Sequence, residues 1–301
     1  MKRGYLQLCV ALFAMGPSAA TLAQDSQRHF DTAEQAANSL VIAIARDDKA
    51  ALTGIFGSGY GQILPPGAVT EEKVDRFLDG WARFNTLQSV DDKTRLLSVG
   101  SHGWTFPVPI VREVEGWRFD SEAGKDQIRL RRIGRNELAA MQAALAYVDA
   151  QFEYAGQDHD GDGVLEYAQR FISREGTSDG LYWDSAAGEP QSPLGPLLAS
   201  HNPGDDYHGY RYRILTRQGD NAPGGALDYV DQGNMVNGFA LVAWPADYGD
   251  TGVMSFLLGR NGVLYEADLG PDGAAYASAV TAYDPDRRWS PVAASFIDPD
   301  N

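Results

Sequence analysis

Three aspartates on alternate residues are the part of this sequence best suited to metal chemistry. The stretch "DHDGDGVLEY" contains Asp158, Asp160 and Asp162, and Glu166 follows shortly after. On a tight turn, this spacing can aim several carboxylate oxygens at one point, as calcium requires. An EF-hand loop places a bidentate glutamate at its twelfth position, where this sequence has Gln169. The pattern predicts either a weak calcium site with these four acidic ligands or a polar turn in which Asp162 caps a following helix.

A second candidate is the basic stretch "RLRRIGRNE", which contains Arg131, Arg132 and Arg135. The alanine-rich sequence after it predicts a helix from about Asn136 to Ala155, which places the arginines just ahead of the helix N-terminus. Free backbone amides at such an end favour anions, so an anionic ligand could bind there. The alternative is that the arginines pair with the acidic C-terminal half and set the orientation of two domains. The uneven charge of the chain favours this alternative.

Two further groups of residues have weaker spacing. His201 and His208 flank Asp205 and Asp206, which would suit a metal or acid–base cluster, but no HExxH or CxxC pattern accompanies them. Loops of this composition more often just carry turn-forming residues.

The stretch "SDGLYWD" suggests a carboxylate hydrolase. Asp179 could pair with Glu166 or Asp184, and the neighbouring Tyr182 and Trp183 would suit a sugar ring. The separation of the carboxyl groups decides such a mechanism, and the sequence does not define it.

The N-terminus has the charge order of a secretory signal peptide. Lys2 and Arg3 precede an apolar run, and small residues follow up to Ala20 and Ala23, either of which suits cleavage. We assign residues 1–23 to this signal, which includes Cys9, the single cysteine of the chain. The mature protein is therefore expected to be soluble, free of disulfides, and periplasmic or extracellular.

Charge is concentrated in the second half of the chain. Residues 24–135 contain 15 basic and 16 acidic residues, whereas residues 136–301 contain 8 basic and 25 acidic residues and no lysine. A nucleic-acid partner would require a basic stripe, and an anionic membrane would repel the second half. Beyond the signal, we expect no membrane insertion, because no stretch is long and apolar enough.

Hydrophobic periodicity predicts an α+β protein with two domains, at residues 24–128 and 129–301. The first begins with helices, including one with Asp31 or Thr32 as its cap and Gln35 three residues after Thr32, and ends with a β-hairpin turning at Glu115-Gly116. The second has a long helix packed on an antiparallel sheet, and a short helix after the aspartates. We expect the long helix to bury an apolar stripe formed by Leu138, Met141, Leu145, Val148 and Phe152.

Several phrases together resemble a family of secreted bacterial proteins, catalogued as domain-of-unknown-function family 2950. They are "RRIGRNEL", "DGLYW", "SPLGP", "HGYRYRIL", "APGGA", "GFALVAWPADYGDTGVMSF" and "YEADLG". The resemblance implies kinship over most of the mature chain and supplies no catalytic residues. By analogy, the first domain looks like cone-shaped domains of the nuclear-transport-factor-2-like kind, and the second like the globular heads of pilins. Fold analogy alone does not supply a function.

These observations lead to one main hypothesis and one alternative. The main hypothesis is an exported, non-enzymatic envelope protein that binds an unknown protein partner or a surface assembly, with calcium as its one expected cofactor. The alternative is a periplasmic hydrolase that uses carboxylates around Glu166 and Asp179 on glycans.

Overall fold

A computed structural model of the chain describes residues 27–67, 69–185, 191–195 and 206–293. It confirms the α+β class, with helices and antiparallel sheets. The chain divides into two compact units, the first ending at Lys125 and the second beginning at Asp126. The expected signal peptide, with both cleavage positions and Cys9, lies outside the described residues. In the part that is described, no helix is both long enough and apolar enough to cross a membrane.

The first unit begins with short helices. They are α1 (Ala33–Ala45), α2 (Lys49–Phe56), α3 (Tyr60–Ile63) and α4 (Glu71–Arg83), with a 3₁₀ turn at Gly57–Gly59. The hydroxyl of Thr32 accepts a hydrogen bond from the Gln35 backbone N–H at 3.1 Å, and the Gln35 side chain accepts one from the Asp31 N–H at 3.2 Å. These bonds satisfy N–H groups that the helix itself leaves unpaired, so the predicted cap of α1 is confirmed.

The sheet of the first unit is larger than the predicted hairpin. Its strands are β1 (Asn85–Ser89), β2 (Thr94–Val99), β3 (Trp104–Thr105), β4 (Ile110–Glu113) and β5 (Gly116–Phe119). All pairs are antiparallel in the order β1-β2-β4-β5, and β3 also pairs with β2. The predicted hairpin is β4–β5, with Val114 and Glu115 as its turn. The prediction missed both β1 and β2. The sequence of β1 is mostly polar and exposed and shows no apolar alternation, so its pairing with β2 defines it.

A single helix, α5 (Ser121–Tyr154), contributes its first residues to the first unit and the rest to the second. The side chain of Asp120 accepts a hydrogen bond from the Ala123 N–H at 3.3 Å, and the Ser121 hydroxyl donates to the Phe56 carbonyl at 2.8 Å. The predicted start near Asn136 was wrong. Arginine, leucine and glutamine are good helix formers, and one glycine such as Gly134 costs only about 1 kcal/mol, so the basic stretch is helical.

Only part of the predicted stripe of α5 is buried: Met141 and Val148 lie in the core, but the buried face is rotated toward the alanines. Ala140, Ala144 and Tyr147 are almost completely buried, whereas Leu138 and Phe152 are 42% and 47% exposed. Small alanine side chains let a helix approach a sheet closely, so an alanine-rich face can be the packing face even when bulkier residues lie beside it.

The second unit packs α5 on a five-stranded antiparallel sheet, as predicted. Its strands in chain order are β6 (Tyr210–Leu215), β7 (Arg217–Gln218), β8 (Leu227–Asp228), β9 (Val230–Asp231), β10 (Asn234–Met235), β11 (Ala240–Pro245), β12 (Met254–Gly259), β13 (Leu264–Asp268) and β14 (Ser290–Pro291), and α6 spans Gly273–Ala279. The main sheet has the order β14-β13-β12-β11-β6, while β7–β8 and β9–β10 form separate pairs. Every residue of β11 is buried, which its continuous apolar sequence predicted.

The segment after the aspartates is extended, so the predicted short helix there was wrong. Tyr167 forms an antiparallel bridge with Met235, its N–H donating to the Met235 carbonyl at 2.8 Å. The backbone of Ala168 is bonded to a side chain of α5. These tertiary hydrogen bonds occupy the groups that a local helix would need, and Asp162 therefore caps no helix.

Candidate metal centre

The three aspartates converge on one side of a tight loop in the second unit. One carboxylate oxygen from each of Asp158, Asp160 and Asp162 lies within 4.8 Å of the others, and all three residues are exposed. The Asp158 carboxylate accepts hydrogen bonds from the N–H groups of Gly161 at 2.7 Å and Gly163 at 2.9 Å. Both glycines have positive φ, 79° and 84°, which other residues rarely adopt. The glycines thus permit the turn that brings the carboxylates together.

The pKa of Asp158 lies below its usual value. The backbone N–H of Gly161 is the main cause, and that of Gly163 is the next. Asp162 accepts hydrogen bonds from the Val164 N–H at 2.7 Å and from the Asn234 side-chain amide at 2.6 Å. Asn234 belongs to β10, so a residue distant in sequence meets the loop. The Asp158 carboxylate is therefore ionised at neutral pH, and that of Asp162 is fixed in direction by its two donors.

Glu166, the fourth predicted ligand, is not among the converging carboxylates. Its side chain accepts a hydrogen bond from the Met235 N–H at 3.0 Å. Glu166 thus contributes to holding β10 against the segment that follows the loop.

A buried glutamine fixes this following segment to α5. The Gln151 side chain donates to the Ala168 carbonyl and accepts from the Ala168 N–H, both at 2.8 Å, and is fully buried. Gln151 also donates to the Tyr147 hydroxyl at 2.9 Å, which in turn donates to the Ala240 carbonyl of β11 at 3.2 Å. Gln151 was not predicted as a site residue, since its only signal in the sequence is a polar residue beside an apolar helix stripe. The segment that follows the loop is therefore held between α5 and the buried sheet.

The aspartate loop differs from the other candidate metal group in its ion pairs with basic side chains. Within the described ranges, no lysine or arginine forms an ion pair with the three aspartates. A second group of suitable type, His29, Glu113 and Glu115, lies in the first unit. There Arg118 donates to Glu113 at 2.6 Å and is the main cause of its lowered pKa. A cation already compensates Glu113, so the aspartate loop is the better candidate for a metal.

Asp179 has a different environment from the loop. Its carboxylate accepts hydrogen bonds from the Arg174 N–H at 2.8 Å, the Arg174 Nε at 2.7 Å and the Thr177 hydroxyl at 2.7 Å, and Arg170 lies 3.5 Å away. Burial would raise the pKa of Asp179, but these hydrogen bonds and the charge of Arg170 outweigh it and lower the pKa to about 2. A carboxyl group this acidic is a poor proton donor at neutral pH. The geometry gives Asp179 a structural role.

The predicted arginine group lies within α5, not ahead of it. Arg132 pairs with Asp250 and also donates from Nε to the Asp250 carbonyl at 3.2 Å. Burial, and then the charge of Arg135, lower the pKa of Arg131. The predicted anion site at a helix N-terminus was wrong, because the helix begins at Ser121. The Arg132–Asp250 pair lies inside the second unit and does not link two units.

The histidine group is described only in part, since His201 and Asp205 lie outside the described residues. Asp206 and His208 are exposed. His208 has a φ of 51°, and its ring lies 4.3 Å from that of Tyr207. Neither residue belongs to a metal-compatible cluster in the part of the chain that is described.

Comparison with family models gives one match. The model described as "Protein of unknown function (DUF2950)" matches residues 27–292. Because this match covers most of the chain, the chain belongs to that family. Comparison with curated proteins and with solved structures found no match to this chain.

Proposed function

We propose that this member of the DUF2950 family is an exported envelope protein that acts without catalysis, by binding another protein or a surface assembly. Its second unit contains a loop that calcium stabilises. The observation that supports the calcium loop most directly is the convergence of Asp158, Asp160 and Asp162, which backbone N–H groups hold in place and no cation compensates among the described residues.

The donor set suits calcium better than a softer metal. Calcium takes roughly six to eight oxygen ligands, and carboxylates are its usual protein ligands. Three carboxylates can supply part of this shell, and water would supply the rest because the loop is exposed. Calcium sites of extracellular modules bind with dissociation constants of roughly 10⁻⁴ to 10⁻³ M, which such an incomplete protein shell would match.

Calorimetric titration of calcium into the chelator-treated mature protein tests the loop. We expect heat and thermal stabilisation in the wild type, and neither in the double variant Asp160→Ala/Asp162→Ala. A matched control is Asp149→Ala/Asp220→Ala, which removes the same charge at two exposed positions outside the loop. Equal binding by both double variants, or no binding at about 10 mM calcium, well above the expected dissociation constants, would contradict the calcium proposal.

Partner binding is supported by apolar surface on the first unit. Phe84 and Trp104 are about half exposed. The apolar stripe of α4 is only partly buried, and consists of Val74, Phe77, Leu78 and Trp81. The rings of Phe77 and Trp104 are in edge contact at 6.1 Å, so the exposed tryptophan continues the stripe. Contiguous apolar surface of this kind marks interaction sites more often than isolated exposed residues do.

A photo-crosslinking side chain tests the partner proposal in cells. Placed at Phe84, it should form adducts with one partner species. Placed at Val114, an exposed apolar residue in the β4–β5 turn, it should not. Adducts of equal yield and pattern at both positions would argue against a specific apolar contact.

Export is supported by the charge order of residues 1–23. Mass spectrometry of the full chain, expressed in a Gram-negative host, should find a periplasmic form that begins just after Ala20 or Ala23. An uncleaved chain confined to the cytosol would contradict the proposal.

A further inference from the structure

A cleft lies beside the aspartate loop in the second unit, and the three aspartates do not line it. Its volume is about 740 Å³, and residues 157, 159, 172–178 and 182–184 line it. One side of the cleft is formed by Tyr182, Trp183 and Asp184, from the stretch whose aromatic residues suit a sugar ring. A volume of this size accommodates a small ligand or a short segment of a polymer.

A stack of aromatic rings forms one wall of this cleft. The His159 ring stacks on that of Tyr154 at 4.0 Å, with 18° between the planes, and lies 5.4 Å from the Trp183 ring. Tyr154 is 2% exposed, and its hydroxyl donates to the Ser178 carbonyl at 3.0 Å. Trp183 packs against the hydrophobic core and is only partly buried. The tryptophan is therefore held in position and is partly exposed in the lining of the cleft.

Asp184, the residue after Trp183, provides the cleft with a hydrogen-bond acceptor of fixed direction. The Tyr182 hydroxyl donates to the Asp184 carboxylate at 2.6 Å. One contact fixes the direction of this carboxylate, and its remaining lone pairs can accept hydrogen bonds from a ligand. Gln157, which is exposed at the rim, can both donate and accept.

The charges of the cleft disfavour an anionic ligand. Arg174 is hydrogen-bonded to Asp179 and so is already compensated. Glu175 and Asp184 add negative charge to the lining. A neutral ligand with many hydroxyl groups and an apolar ring face matches both the aromatic wall and the acceptors, and a saccharide has this chemistry.

We infer that this cleft binds a neutral oligosaccharide, one sugar ring stacking on Trp183 while its hydroxyls donate to Asp184. We assign no hydrolysis to the cleft, because Asp179 does not line it and its carboxylate is occupied by Arg174 and Thr177. The proposed sugar contacts do not use Asp158, Asp160 or Asp162, although His159 of the cleft wall lies between two of these aspartates.

The test is calorimetric titration of the mature protein, in chelator, with maltohexaose, cellohexaose and chitohexaose. These are neutral chains with α-glucose, β-glucose and β-N-acetylglucosamine units. We expect at least one to bind, and Trp183→Ala to weaken it by at least about tenfold, which corresponds to about 1.4 kcal/mol. Trp104→Ala, which removes an exposed tryptophan of the other unit, should leave the affinity unchanged.

Two milder variants keep the test decisive if Trp183→Ala does not fold. Trp183→Phe retains a smaller ring and should weaken binding less than tenfold, and Asp184→Asn should also weaken it. Unchanged affinity in both would overturn the inference. So would the failure of all three chains to bind folded wild-type protein at about 10 mM, roughly ten times a millimolar dissociation constant. Shortened chains after incubation would overturn the absence of hydrolysis. The titration is repeated at about 10 mM calcium, so that a loss of binding caused by calcium removal is distinguished from the absence of a sugar site.

Discussion

The aspartate loop and Asp179 show two ways in which an acidic protein holds a carboxylate. Both lie in the second unit, and both carboxylates accept several short hydrogen bonds. The donors to Asp158 are backbone N–H groups, whereas Asp179 is held by a guanidinium as well. Backbone dipoles orient a carboxylate and lower its pKa, but they leave its charge uncompensated.

This difference teaches which carboxylates are available to a ligand. A guanidinium supplies a full positive charge and so completes the site, as at Asp179. The loop carries three negative charges within a small volume and has no such partner among the described residues. Repulsion between these charges is the cost that a bound cation would remove. Substitutions at the two sites test whether this contrast holds.

The largest effect is expected at the compensated site. Asp179→Ala removes three hydrogen bonds and leaves Arg174 without its acceptor. We expect the free energy of unfolding to fall by roughly 2–3 kcal/mol, because hydrogen bonds to charged groups are among the stronger ones. Chemical denaturation measures it. Asp149→Ala, on the exposed face of α5, should change stability by less than about 0.5 kcal/mol. An equal loss of stability in both variants would contradict a special contribution from Asp179.

The stability of the protein at low pH should also depend on the Asp179 carboxylate. The pKa of Asp179 is lowered to about 2 from an ordinary value of 3.8. Between these two values the unfolded chain binds more protons than the folded one, so stability falls as the pH falls. The contribution of Asp179 is complete above about pH 5, and roughly 2 kcal/mol is lost between about pH 4 and pH 2. Denaturation across this range should show the loss in the wild type. A variant Asp179→Ala that loses just as much would refute the assignment.

Calcium should stabilise the protein through the aspartate loop and not through Asp179. At a free concentration ten times the dissociation constant, binding to the folded state adds about 1.4 kcal/mol to the free energy of unfolding. Thermal melts should show this stabilisation in the wild type and in Asp179→Ala, but not in Asp160→Ala/Asp162→Ala. If Asp179→Ala also loses the calcium response, the two sites are coupled and do not act separately.

The smallest effect is expected at an exposed ion pair. The side chains of Arg132 and Asp250 are 43% and 54% exposed. Exposed pairs contribute about 0.2–1 kcal/mol and are screened by salt. Arg132→Gln should therefore lower stability by about 0.5 kcal/mol at low salt, and by less at about 1 M sodium chloride, where the Debye length is about 3 Å. A loss as large as that of Asp179→Ala would show that a guanidinium partner matters more than burial.

Much of the fold could be predicted from local sequence. The strand β11 is continuously apolar, and the β12–β13 turn has the Asn261-Gly262 pair with Gly262 at a φ of 72°. Each of these signals lies within a few consecutive residues, so it can be recognised without knowing the tertiary contacts. The strand β1 and the first half of α5 could not be predicted in the same way. A polar edge strand is defined by its partner, and a charged sequence can begin a helix as readily as precede one.

The candidate site shows the same division. The alternate aspartates and their glycines lie within a few residues of each other, so their convergence was predictable from spacing. The contact with Asn234, and the bond between Gln151 and Ala168, join residues far apart in sequence. Glu166 fits the sequence pattern, but Met235 occupies its side chain. Tertiary partners of this kind leave no periodic signal in the sequence.

Every cation in the acidic second unit is a guanidinium or a histidine. Arg213, for example, donates to the carbonyls of Ala277, Ser278 and Val280 at the end of α6, a fork that one ammonium group would not reproduce. All five lysines of the chain lie at or before Lys125. Amine-reactive dyes and resins will therefore label or immobilise the chain through the first unit and leave the lysine-free unit, with its loop and cleft, chemically unmodified.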